Sequence, residues 1–336
     1  MKGLGRYIAS KVGWYALAFL VAILLNFLLP RLIPGNPIDA LIAQYMQGTV
    51  EAAVAAKAYQ AFIEDFGLDQ PLWRQLLGYV ANVLHGDLGR SFSLYPARVR
   101  DIIAQALPWS VALQLPAILL GWLIGNWLGA LAAYKGGRFD STFFVAALAL
   151  SNVPYYAMAI LLLYLLAVVV PIFPSAGGYS FGMTPALSLR FVIDVLHHYT
   201  LPFLSLVLIS IGGQAVGMRS MAIYELGADY VNYSTGMGLR EQKVLGYVFR
   251  NAMLPQVTGL ALSLGTMVGG ALITEIVFSY PGIGSLLFRA ISTRDYPLLQ
   301  GGALLVVTAV LVANLLVDIA YGFIDPRIRA VRLGER

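Results

Sequence analysis

The sequence contains no cysteine. That excludes disulfides, thiol nucleophiles and cysteine-ligated metals, and says nothing of the compartment. Charge is also scarce. Asp, Glu, Lys and Arg make up 12% of the 336 residues, where a soluble domain carries about 25%. No GxxxxGK[ST] occurs, so the chain has no phosphate loop and cannot by itself be a P-loop ATPase. HExxH and GxSxG are absent, and the only histidines are His85, His197 and His198. Nor is there a chain of acids along the apolar runs, as proton relays carry.

What the chain has in quantity is apolar sequence: 59% of residues, with a mean hydropathy of +0.75. A helix crosses the hydrocarbon core with about 20 apolar residues. Six uncharged runs meet that length, at 12–29, 108–134, 141–170, 200–218, 254–274 and 298–317. The reading is an all-α polytopic membrane protein with six transmembrane helices. The first run follows Lys2, Arg6 and Lys11 like a secretion signal. It is too long for one, and no small-x-small cleavage site follows, so it reads as a retained span.

An even number of spans puts both termini on one side. If that side is cytoplasmic, the inner stretches hold 13 Lys and Arg in 62 positions and the outer ones 9 in 124. The positive-inside rule then gives cytoplasmic termini. The net charge of +5 and the pI of about 9.3 belong to this asymmetry rather than to nucleic acid binding.

The expected divisions are 1–30 (N-terminus and span 1), 31–107 (outer insert), 108–323 (five-span core) and 324–336 (inner tail). The insert reads as helical. EAAVAAKAYQAFIEDFGL forms one helix, stopped near Gly67. Asp69 can cap a second, with Pro71 in its first turn and Leu72, Leu76, Val80, Val83 and Leu84 at helical spacing. It is either a cap packed on the spans or a docking surface for an outside partner.

Within the spans, Gly121, Gly125 and Gly129 form a GxxxGxxxG series, and Gly213/Gly217 and Gly265/Gly269 repeat the spacing. Small residues four apart let helices approach closely. Pro116, Pro154 and Pro202 can kink their helices. Glu275, Asp318 and Gln214 are pathway or gate candidates, since polar groups in a membrane face the bundle interior or water. For the two acids, a shallow interfacial place is the competing reading. Arg219 reads as a headgroup anchor. Asp194, His197 and His198 superficially resemble a ligand set. Adjacent histidines on a helix point about 100° apart, so no metal site is expected. Asn232-Tyr233-Ser234 matches a glycosylation acceptor but falls on the inner side.

With no ATPase site and no proton relay, energy must come from a partner, and residues 220–250 are the one inner loop long enough to meet it. There YSTGMGLREQKVLGYVFRNAMLP carries a glycine turn, basic residues and a closing Leu-Pro. This loop resembles the EAA loop of ABC importer permeases. FLLPRLIPGNP, FGLDQPLWRQL, HGDLGRSF, ADYVNYSTGMGL, RNAMLPQVT, EIVFSYPGIGSLL, RDYPLLQG and DPRIR, in this order, extend the likeness over nearly the whole chain. The closest match is to B-type permeases of the dipeptide/oligopeptide (Dpp/Opp) family. Asn232, Tyr233 and Ser234 stand where that family has its EAA triplet, Gly238 matches its glycine and Pro255 its closing proline. The triplet departs from EAA, and the interval from Gly238 to Pro255 is shorter than in peptide permeases. RNAMLPQVTGLALSLG is more similar to the oligosaccharide-importing branch.

The resemblance implies a MetI-like type I importer fold. It implies a coupling loop at 220–253, with Leu239 burying against an ATPase and Arg240 and Lys243 pairing with its acids. The implied partners are a second permease, two ATP-binding cassette ATPases that hold ATP and Mg, and an extracytoplasmic binding protein. The chain itself would bind no cofactor, catalyse nothing, and sit in a bacterial or archaeal inner membrane. An ion-coupled transporter acting alone is the rival reading. A membrane-embedded enzyme would need a polar constellation that the spans lack.

Overall fold

A computed structural model describes residues 2–28, 63, 70–186, 188–265, 267 and 271–324. The insert helix expected at 51–68, the Asp69 cap, Gly269 and the tail block DPRIR lie outside the described residues. In chain order the helices are α1 (Lys2–Leu28), α2 (Leu72–Leu84), α3 (Val99–Lys135), α4 (Gly137–Ser151), α5 (Tyr155–Leu163), α6 (Leu189–Leu226), α7 (Asp229–Gly236), α8 (Glu241–Gly265), α9 (Leu272–Val277), α10 (Ile283–Ser292) and α11 (Tyr296–Ile324). A π-helical turn, Tyr164–Val169, continues α5. Among the described residues there is no strand, and one isolated bridge pairs Arg90 with Arg98.

Among the described residues, four helices are long and apolar enough to cross a membrane, Tyr7–Leu28, Val99–Lys135, Leu189–Leu226 and Tyr296–Leu316. The run expected as one span at 141–170 is instead α4 and α5, bent by 94°. Pro154 is the cause: it lacks an N–H, and its ring drives Val153 out of the helical region. Counted as one span, the pair makes five. Part of the fifth expected span, 254–274, falls outside the described residues. Pro116 and Pro202, in contrast, lie inside α3 and α6 without ending them.

The chain divides into two compact units, 1–108 with 285–336, and 109–284. In the first, α1 and α11 pack antiparallel. Lys11 pairs with the Asp318 carboxylate, which also accepts from the Tyr15 hydroxyl (2.9 Å). Near the other end, Asn26 and Gln300 exchange side-chain to backbone hydrogen bonds of 2.7 and 2.9 Å. Ile23, Val83 and Leu304 form the local core, with α2 laid against α1.

In the second unit α6 is the central post, packed by α4, α5 and α8. Its 38 residues span about 57 Å at 1.5 Å each, longer than a hydrocarbon core of about 30 Å, so its ends project. Leu113, Ala117, Ala159, Leu201, Leu206, Val207, Phe278 and Tyr280 fill the core on one side of it. Met218, Ala222 and Ala252 fill a smaller cluster further along.

Candidate functional site: the turn between α7 and α8

Helix α6 ends at Leu226, and after the two linking residues Gly227 and Ala228 α7 begins at Asp229. Helix α7 closes in a Schellman cap. Gly238 N–H donates to Thr235 C=O (2.9 Å), and Leu239 N–H to Ser234 C=O (3.2 Å). This closure requires a left-handed residue at the crossing point, and Gly238 supplies it with φ +72°. Arg240 C=O then accepts from Lys243 N–H (2.8 Å) and Val244 N–H (3.2 Å), starting α8. The reversal therefore takes only the residues between Gly236 and Glu241.

The turn is attached to the bundle through one stripe of α8. Val244, Val248 and Ala252, four apart, are all buried, while Glu241, Gln242 and Lys243 before them and Tyr247 between them are exposed. A second tie is polar. Glu225, near the end of α6, accepts from the Tyr230 hydroxyl (2.7 Å) and more distantly from Asn251 (3.4 Å). Burial, with the Glu225 carboxylate beside it, pushes the Tyr230 phenol above its usual value. Tyr134, at the end of α3, donates to Glu241 (3.1 Å). Three helix ends thus converge on one short turn.

What the turn presents outward is mixed. Tyr233 and Met237 are largely exposed, as are Asn232, Gly238, Arg240 and Lys243. Leu239 and Ser234 are half-buried, and Pro255 lies further along α8, inside the helix. Met237, Gly238, Leu239, Arg240, Gln242 and Lys243 line an open depression of about 480 Å³. The groups expected to meet an ATPase, apart from Pro255, thus lie on this turn and the helix ends that flank it, Ser234 and Leu239 being half-buried.

The glycine series on α3 faces α6. A Cβ on Gly121 would fall 2.3 Å from Ser210 Oγ, on Gly125 2.6 Å from Gln214 Cβ, and on Gly129 2.3 Å from the Ala215 carbonyl oxygen. Gln214 therefore sits in this seam. The 213/217 pair is different. Nothing lies within 4 Å of a Cβ at Gly213, while its neighbour Gly212 would meet the α4 backbone at 2.9 Å. Spacing alone could not tell these two glycines apart.

A model of the inner membrane components of binding-protein-dependent transport systems matches residues 125–330, more than half of the chain. The chain belongs to that family. It is 33% identical to the dipeptide transport system permease protein DppB of Escherichia coli K12, covering 96% of this chain and 98% of the relative. It is also 33% identical to the di/tripeptide transport system permease protein DppB of Pseudomonas aeruginosa, covering 97% and 99%. It is thus a permease subunit of an ABC importer and a multi-pass inner-membrane protein.

Several charged groups of this permease have partners that the sequence did not reveal. Arg219 is not a free headgroup anchor. It forms a forked pair with Asp140 of α4 (Nε–Oδ1 and Nη2–Oδ2, both 2.5 Å) and stacks over Phe144 at 4.3 Å. Glu275 is fully buried, and its Oε2 accepts from Gly284 N–H (2.7 Å) at the start of α10. A Cβ at Gly282 would lie 2.3 Å from that oxygen, so the glycine of SYPGIG is needed for the carboxylate to reach the helix. Asp318 is held against α1 by Lys11 and Tyr15.

Asp194, His197 and His198 lie near the start of α6. The His197 and His198 rings stand at 83° to each other, His197 Nε2 lies 2.8 Å from Ile172 C=O, and Asp194 is taken up by Ser180 N–H and Oγ–H (2.7 and 2.6 Å).

Asp295 went unremarked in the sequence, yet it accepts four hydrogen bonds. Fully buried, it accepts from the Ser91 hydroxyl, from Ser93 N–H (2.9 Å) and Oγ–H (2.8 Å), and through Oδ1 from Leu298 N–H (3.1 Å). It caps α11 while holding the HGDLGRSFS loop. An aspartate two residues ahead of a proline, at the head of an apolar run, is a readable N-cap signal.

Proposed function

We propose that this permease forms half of the translocation pathway of a peptide importer, coupled to ATPase subunits through the α7–α8 turn. The observation that carries the coupling role is the Schellman-capped reversal at Gly238, tied to α6, α3 and α8 and exposed on its outer face. A push on such a turn moves helices rather than a loose loop, which is what a rigid-body switch between two states needs. Leu239 would bury in the ATPase, and Arg240 and Lys243 would pair with acids there.

Both termini and this turn would then be cytoplasmic, consistent with the distribution of Lys and Arg. The partners would be a second permease of the same family, two ATP-binding cassette ATPases holding ATP and Mg, and an extracytoplasmic binding protein. This chain would hydrolyse nothing and hold no cofactor of its own. The naming of its relatives for dipeptide and di/tripeptide transport supports short peptides as the solute, over the oligosaccharides suggested by the sequence around Pro255.

The test is the reconstituted complex with its binding protein. Gly238→Val places a β-branched residue at φ +72°, where L-residues pay about 1–2 kcal/mol or more. Assembly and ATP hydrolysis should persist while solute uptake falls. Full uptake by the variant would refute the coupling role. ATP-independent uptake driven by an ion gradient would favour the lone transporter. Binding of oligosaccharides but not peptides by the binding protein would overturn the solute assignment.

A further inference from the structure

Helix α2 carries more apolar surface than its packing uses. Tyr79, Val80 and Val83 pack into the cluster of Ile23 and Leu304. Beside that face lies another apolar arc, with Trp73 58%, Leu77 61% and Leu84 62% exposed. At 100° per residue these three fall within about 40° of one another. Arg74, Gly78 and Asn82 follow on the next arc and are exposed too.

The polar pins of α1 and α11 indicate what covers the apolar arc. Lys11 meets Asp318 toward one end of the pair, and Asn26 meets Gln300 toward the other. The rise between pins is about 23 Å along α1 and about 27 Å along α11, close to a hydrocarbon thickness of about 30 Å. The Asn26–Gln300 pin therefore marks one edge of the hydrocarbon. Helix α2 is fastened to that edge, because Asn26 Nδ2 also donates to the Tyr79 hydroxyl (3.0 Å), and the Tyr79 and Phe27 rings lie 5.6 Å apart. The exposed apolar side of α1, including Leu17, Val21, Leu24 and Leu28, runs up to the same level. Trp73 is stacked under the Arg74 guanidinium at 5.1 Å, an aromatic body with a charged head, as membrane interfaces favour.

We propose that α2 lies in the membrane–water interface, with Trp73, Leu77 and Leu84 set among the acyl chains and Arg74, Gly78 and Asn82 turned to headgroups and water. The partner of this face is lipid. An amphipathic helix in the interface plane buries its apolar side by about 5–10 Å, and here the Tyr79 tie holds it at the required depth.

The lack of cysteine makes the test direct. Leu77→Cys and Asn82→Cys would each carry a nitroxide in the assembled importer, with its other subunits cysteine-free. The carrier would be nanodiscs of phosphatidylethanolamine and phosphatidylglycerol. Oxygen partitions into lipid and a nickel chelate stays in water. The ratio of oxygen to nickel collision rates should be several-fold higher at 77 than at 82. A label at 77 that nickel reaches as readily as at 82 would overturn the proposal. So would a label at 77 shielded from both reagents, the mark of a protein partner. If Leu77→Cys does not assemble, Trp73→Cys reads the same arc.

Discussion

Two glycines of similar sequence context should respond to alanine with opposite signs. At Gly129 the added methyl would meet the Ala215 carbonyl oxygen at 2.3 Å, with the Ala215 carbonyl carbon and Arg219 nitrogen each at 3.0 Å. All three are backbone atoms in the middle of α6, so no side chain can swing aside. The helices must part or slide by about 1 Å, and overpacking of this kind costs about 1–3 kcal/mol. At Gly213 nothing lies within 4 Å. Replacing glycine in a helix by alanine gains up to about 1 kcal/mol, and there that gain is unopposed. The propensity term is common to both substitutions, so their difference isolates the seam at about 1–3 kcal/mol. Gly212→Ala, with α4 backbone atoms at 2.9 Å, should side with Gly129→Ala. The assay is the rate of thermal inactivation of the detergent-purified complex at one fixed temperature, since large membrane assemblies unfold irreversibly. Equal rates for Gly129→Ala and Gly213→Ala would refute the close approach of α3 to α6.

Two further outcomes follow from buried charge. Asp295→Ala strands Leu298 N–H in a buried site, at about 1–3 kcal/mol, and Ser93 N–H in a half-buried one, whereas Asp295→Asn opposes only one of these donors and should cost less; thermal inactivation that ranks Asn with Ala would contradict this division. In a cycle of Asp140→Asn and Arg219→Gln, the double variant should lose about 1–2 kcal/mol less than the two singles together, between the limits for exposed and buried pairs, and strict additivity of the unfolding data would show that the fork contributes nothing.

The spans were legible because they depend on a property summed over many residues. An uncharged run of some 20 residues has few destinations, and runs at 12–29, 108–134, 200–218 and 298–317 each lie within or nearly within one of the long helices. The bend at Pro154 was half legible. Proline announces that a helix can end, but nothing local distinguishes it from Pro116 and Pro202, whose helices continue. The turn at Gly238 was legible because its cap is closed by residues within five positions of one another. Which glycine of a small-residue series meets a neighbour depends on how that neighbour is rotated, and so Gly212 escaped notice beside Gly213.

The isolated charges failed for a related reason. An acid in an apolar run has two cheap fates: it reaches water, or it finds donors. Sequence shows the first fate through nearness to the end of a span, and Glu275, Asp318 and Arg219 were weighed on that ground. Their partners are Gly284, Lys11 and Asp140, two of them separated by 307 and 79 positions. Each pairing also fixes geometry that burial alone would leave loose. Asp318 sets the register of α1 against α11, Glu275 the start of α10, and Asp140 the seat of α6 on α4. In a bundle whose helices slide easily on apolar faces, such directional contacts define which arrangement is populated. In the two-state cycle proposed for this permease, each of these bonds must either be kept in both states or be exchanged for another. Leaving the fully buried Glu275 carboxylate without its donors would cost about 3–5 kcal/mol, enough to make an intermediate that breaks that contact rare.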